Sequence, residues 1–112
     1  VERLPAHLEA GAIIRRVETE GGFAAVLRKG DPDRGALVLI IRHRGQFRAL
    51  LERALDADFR YSWRLASSDE SIGSEQVQRL VENRTRLDAD LWLIELDVAQ
   101  PERFIAETIS ST

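Results

Sequence analysis

The chain has 112 residues, 44% of them hydrophobic and 31% charged, with a net charge of −3, two histidines and no cysteine. That length suits one globular domain, 1–112, which buries somewhat under ~70% of its extended surface and folds without covalent staples. The missing cysteines exclude disulfides, thiolate zinc sites, iron–sulfur clusters and cysteine nucleophiles, and the longest wholly apolar run, Ala36 to Ile41, is too short to cross a bilayer.

Pro5 suits the first turn of a helix, and Leu8, Ala12, Ile13 and Val17 recur at helical spacing until Gly21-Gly22 stops it. Phe23 to Lys29 then runs without a breaker and reads as a strand. Gly30-Asp31-Pro32-Asp33-Arg34-Gly35 is turn chemistry, with a proline whose fixed φ favours a type I turn and aspartates that bond their own backbone. Ala36 to Arg42 is β-branched and too short for a helix, which predicts a strand buried on both faces. The spacing predicts a hairpin of these two strands at the heart of the sheet.

His43-Arg44-Gly45-Gln46 forms a second turn into Phe47 to Arg53. Phe47, Leu50, Leu51 and Leu55 also fit a short helix, and the tight turn before them favours a strand. Phe59 to Leu65 alternates strictly between apolar and polar residues, the period of a strand buried on one side. A serine-rich acidic loop, 67–73, leads to Ser74 as N-cap and a helix from Glu75 to about Arg86, with Val77, Leu80, Val81 and Leu87 on one stripe. Leu91 to Val98 reads as the last strand, with Trp92, Ile94, Leu96 and Val98 facing one way. Pro101 opens a terminal helix carrying Phe104, Ile105 and Ile109, and the tail 110–112 is expected to fray. The fold class is therefore α+β: a mainly antiparallel sheet of four to five strands with an N-terminal helix, a helix before the last strand and a short C-terminal helix, packed mostly on one face.

Chemistry is sparse. There is no Gly-rich phosphate loop and no Gly-x-Ser-x-Gly elbow. His7 and His43 lack a second histidine at ligand spacing and read as surface or capping residues. The sequon Asn83-Arg84-Thr85 falls within a helix. Asp88, Asp90, Glu95 and Asp97 form an acidic string, yet the first pair sits at a helix-to-strand junction and the second alternates along the solvent side of a strand. Trp63 and Trp92 lie on the apolar faces of their strands, where a core role is commoner than a pocket lining. No catalytic residue, metal ligand or cofactor is assigned. Charge is lopsided: residues 14–65 carry a balance of +4 and residues 66–112 one of −6. Arg28, Arg60 and Arg64 would rim an apolar strand face if the first, second and fourth strands share a sheet, as at an interface core with a polar rim.

Arg15-Arg16, Gly22-Phe23-Ala24 with Val26, Arg28-Lys29-Gly30-Asp31 with Gly35, and Asp88-x-Asp90-Leu91-Trp92 resemble, in order and spacing, a family of short bacterial proteins known as domain of unknown function 1491. Ala89 stands where the family usually has proline, and the segment from Gln46 to Ser74 departs from its pattern. The resemblance implies a small bacterial cytoplasmic domain and transfers no activity, cofactor or site.

The function expected from the residues is a small non-catalytic interaction module of the cytoplasm, with protein as its partner, a second copy of the chain included. The N-terminal residues show no signal-peptide core, and nucleic acid is disfavoured because the basic excess is small and the whole chain acidic. The alternative is a small ligand- or metal-binding domain or enzyme with a pocket near Trp63, Trp92 and Asp88/Asp90.

Overall fold

The computed structural model describes residues 3–68 and 73–110. The loop expected over 67–73 and the fraying expected of the tail therefore fall largely outside the described residues. Eight elements follow in order: α1 (Ala6–Thr19), β1 (Phe23–Arg28), β2 (Leu37–His43), β3 (Gln46–Leu55), β4 (Tyr61–Ser67), α2 (Ser74–Leu87), β5 (Trp92–Asp97) and α3 (Pro101–Ser110). The strands form one sheet in the order β1-β5-β2-β3-β4. All neighbours are antiparallel except β2 and β5, which run parallel. The α+β class stands. No helix among the described residues is long and apolar enough to cross a membrane.

The expected hairpin of β1 and β2 does not form. Both strands exist, but β5 lies between them, pairing with β1 on one side and β2 on the other. The Gly30–Gly35 turn is what holds this gap open. Asp31 donates its N–H to the carbonyl of Asp90 at 3.0 Å, Trp92 donates its N–H to Ala36 at 2.8 Å, and the Trp92 indole donates to Asp31 O at 2.7 Å. The turn thus wraps the entry of β5 instead of closing a hairpin. Its aspartate does the turn chemistry expected of it, since Asp31 Oδ2 accepts from the N–H groups of Asp33 and Arg34.

The tight hairpin is β2–β3. Arg44 and Gly45 both take positive φ, 51° and 80°, the twist that suits a two-residue connection between antiparallel strands. Asp97 Oδ1 and Oδ2 accept their two N–H groups at 2.9 and 2.8 Å, which ties the turn to the end of β5.

Two cores lie on opposite faces of the sheet. Leu37, Leu39, Ile41, Leu51, Ile94 and Leu96 bury one face under α1 and α3, together with Trp63, Trp92 and Phe104. Val38, Ile40, Phe47, Leu50, Leu91 and Leu93 bury the other under Val77, Leu80 and Val81 of α2. Two of the three helices thus share a face and α2 covers the second. β2, at the centre, is apolar on both sides for that reason.

The buried stripe of α1 differs from the expected one. Ala6, Ala10 and Val17 face the sheet with Ile13 and Ile14 beside them, while Leu8 is 51% exposed. Alanine at 6 and 10 lets the helix axis approach the strands closely, so the small residues and not the large one mark the contact. Leu87 of α2 likewise leaves its expected stripe and is 76% exposed, because it sits on the last turn at the mouth of a cleft.

Candidate functional site

Trp63 and Trp92 both point into the α1/α3 face and are 7% and 5% exposed. Asp88 and Asp90 do not join them. Asp88 ends α2 and its Oδ1 accepts the N–H of Asp90 at 2.9 Å, a local turn bond that fixes the approach to β5. The four residues therefore do not line one pocket. Among the described residues no three His, Asp or Glu side chains converge as metal ligands. The two histidines serve backbone: His7 Nδ1 bonds Pro32 O and His43 Nδ1 bonds Val98 O.

The three arginines expected on one face are also separated. Arg28 lies at the end of β1, on one edge of the sheet, where a bulge after Val26 sets it opposite Leu93 and its guanidinium donates to Ala89 O at 2.7 Å. Arg64 lies on β4, the opposite edge, four strand spacings or roughly 19 Å away. Arg60 sits in the exposed turn before β4, where its N–H bonds Asp56 Oδ1.

Two polar clusters that the sequence did not single out are built instead around β3. The first joins α1, β3 and β4. Arg53 Nε contacts Glu9 Oε1 at 2.8 Å, and the guanidinium carbons of Arg3 and Arg53 lie 3.9 and 4.6 Å from the Tyr61 ring centroid. The Tyr61 hydroxyl is buried and finds no hydrogen-bond partner among the described residues. Burial pushes that phenol up to about 12 and raises the Glu9 carboxyl as well, against the pull of Arg53 and Arg3. Arg3 further donates to the carbonyls of Arg34 and Gly35, so this cluster pins the start of the described chain to the turn before β2.

The second cluster lies on the α2 face. Glu52 is 7% exposed and is held by two arginines. Arg64 Nε and Nη2 donate to Glu52 Oε2 at 3.0 and 2.8 Å, and Arg84 Nε from α2 donates to Glu52 Oε1. Burial alone would raise the Glu52 carboxyl; the hydrogen bonds from Arg84 and Arg64 outweigh it and hold the group below its ordinary range. These residues floor a cleft of about 300 Å³, walled by Ala36, Val38, Leu87 and Leu91, with Asn83 and Asp88 at its side. The one signal in the sequence was the glutamate that ends the apolar Ala49-Leu50-Leu51 run of a strand.

Most of the residues that carry the family resemblance, Arg15 and Arg16 of α1 apart, gather around β5. Gly30 and Gly35 close on the carbonyl of Asp90 so tightly that a Cβ on either would overlap it, and Gly35 also abuts the Trp92 ring. Gly22 packs in the same way against Asp97 O and Val17. They form clasps on the two ends of β5. The pattern described as "Protein of unknown function (DUF1491)" matches residues 4–106. The chain belongs to the DUF1491 family. Solved structures of similar proteins bear the fold out. Protein Atu0922 from A. tumefaciens, solved in solution, is 28% identical with a TM-score of 0.74, the match covering 88% of this chain and 89% of that one. A crystal structure of a DUF1491 protein from Caulobacter crescentus is 29% identical over 91% of this chain and 94% of that one, also with a TM-score of 0.74. An NMR structure of a DUF1491 protein from Caulobacter crescentus is 29% identical over 88% and 90%, with a TM-score of 0.71. No curated protein matches the chain. In this DUF1491 domain Gly22, Gly30, Asp31 and Gly35 of the resemblance-bearing set hold β5 in place, and both polar clusters around β3 lie outside that pattern.

Proposed function

We propose that this DUF1491 domain is a non-catalytic interaction module that associates with a second copy of itself through the open edge of β1. The observation that carries this reading is the composition of that edge. Phe23, Val26 and Leu27 are 77%, 45% and 52% exposed, and Ala25 is exposed between them. Exposed edge strands are ordinarily guarded by lysine, proline or inward charge. β1 has none of these before Arg28; its one irregularity is the bulge after Val26.

Antiparallel pairing about a two-fold at Ala25 sets Phe23 opposite Leu27 and Ala24 opposite Val26, apolar against apolar on both faces. It also sets the acidic approach to β1, with Glu18 and Glu20, beside Arg28 and Lys29 of the second copy. The surface is thus complementary to itself, as an isologous contact requires. Arg28 belongs to this edge, whereas Arg60 and Arg64 lie on the far side of the sheet and take no part. The cysteine-free composition and the bacterial relatives are consistent with a role in bacterial cytoplasm.

The double substitution Ala25→Lys with Leu27→Lys tests the reading, since both side chains are exposed and the fold does not depend on them. Sedimentation equilibrium should show a wild-type dimer and a variant whose association is about a hundredfold weaker or more, because like charges then face each other across the two-fold. The far-ultraviolet circular dichroism should not change. A monomeric wild-type protein, or a variant that still pairs, would sink the proposal.

A further inference from the structure

We infer that the cleft between α2 and the β3–β4 hairpin binds a small monocarboxylate with a compact apolar body, such as an aromatic or short aliphatic acid. This site is independent of the β1 edge: it lies at the other side of the sheet and shares no residue with it. Three features specify the ligand.

The first is the supply of donors. Glu52 takes Nε and Nη2 of Arg64 and only Nε of Arg84. Among the described residues, Nη1 of Arg64 and both terminal nitrogens of Arg84 meet no acceptor, and both side chains line the cleft. Guanidinium forks of this kind match a carboxylate in plane and spacing.

Charge is the second feature. Two guanidinium groups on one carboxylate leave one positive charge at the floor. Asp88 stands at the side with a negative one, its Oδ1 already accepting from Asp90 N. With Asp88 the four groups sum to zero, so a single negative charge meets the +1 of the floor, whereas the second charge of a dianionic phosphate is balanced by nothing there and is repelled by Asp88. The site therefore selects a monoanion.

The third is shape. A volume of about 300 Å³ is at the small end of ligand pockets, ~300–1,000 Å³. Its walls above the charges are aliphatic, from Ala36, Val38, Leu87 and Leu91. A few apolar heavy atoms behind one carboxylate fill such a space.

Titration of the labelled protein with benzoate and with hexanoate, followed by two-dimensional NMR, tests the inference. The expected result is saturable movement of the Arg64 and Arg84 side-chain Nε–H signals and of the Leu87 and Leu91 amides by at least one of the two acids. Benzylamine and inorganic phosphate at matched ionic strength should leave those signals in place. Arg64→Gln, at a largely exposed side chain, should weaken binding by about tenfold or more through loss of a charged hydrogen bond. Leu87→Glu, also at an exposed position, should abolish it by placing a carboxylate at the mouth. The inference is overturned if neither acid gives a saturable shift, if phosphate or benzylamine moves the same signals equally, or if both variants, folded by their spectra, bind as the wild type does.

Discussion

Gly35→Ala should lower the unfolding free energy by about 3 kcal/mol, near the upper end of the cost of forcing extra atoms into a packed site. A Cβ at this buried position would overlap the Asp90 carbonyl oxygen and would lie 2.8 Å from both Asp31 O and Cδ1 of Trp92. None of those three neighbours can step aside cheaply. Asp90 O already accepts the Asp31 N–H, and Asp31 O already accepts the Trp92 indole N–H, so any retreat breaks a bond that fixes β5 against the turn. Gly21→Ala supplies the contrast. Its φ is +86° and a Cβ there meets nothing within 4 Å, so its cost is confined to left-handed backbone strain of about 1 kcal/mol. Urea unfolding of the two variants beside the wild type separates steric exclusion from strain; equal losses would show that the β5 clasp is not built as described.

That clasp also explains where sequence reasoning succeeded and where it did not. Every strand and helix was legible from local pattern. Phe59 to Leu65 alternates and supplies β4 from Tyr61 onward with Trp63 inward, while Phe59 stays exposed in the turn before it, and Leu91 to Val98 supplies β5 with Trp92, Ile94, Leu96 and Val98 on one face. Even the ambiguous Phe47 to Leu55 segment is a strand, because its place after the Arg44-Gly45 turn outweighs its helix-forming residues. Strand order was not legible. The insertion of β5 between β1 and β2 depends on contacts some sixty residues apart, Asp31 with Asp90 and Trp92, and neither segment carries a local mark of the other. A pair of glycines spaced to let a foreign backbone approach is the closest thing to such a mark, and turn chemistry accounts for them equally well.

The site was less legible still. Arg28 and Arg64 look alike in sequence, each following an apolar residue in a strand, yet they end at opposite edges of the sheet because the edges are set by topology and not by pattern. Arg84 lies on the stripe of α2 that carries Val77, Leu80 and Val81, the face turned to the sheet. That face brings it to Glu52, the residue that ends the apolar Ala49-Leu50-Leu51 run. A buried charge always needs a partner, so the glutamate announced that one existed without naming it.

Arg84→Met should cost about 3 kcal/mol at neutral pH, the lower end for breaking a buried ion pair, because Arg64 remains to hold one oxygen of Glu52. Adding Glu52→Leu to that variant should recover most of the loss. The second change removes the stranded carboxylate and puts an aliphatic side chain beside Val38 and Leu91, which already wall the cleft. The pH dependence supplies an independent check. In the wild type the two arginines outweigh burial and hold the folded-state Glu52 below its ordinary range. Its contribution to stability is therefore present above the unfolded-state value, about 4.3, and is lost as pH falls through the lower folded-state one. The gap between wild type and Arg84→Met should narrow over that acid range. Glu9, which burial raises, contributes with the opposite sign: its share is present below the unfolded-state value and fades as pH rises through the folded-state one. Glu9 is common to both proteins and cancels in the difference, so a gap that stays constant from neutral pH into acid would mean that the Arg84 contact with Glu52 does not hold α2 to the sheet.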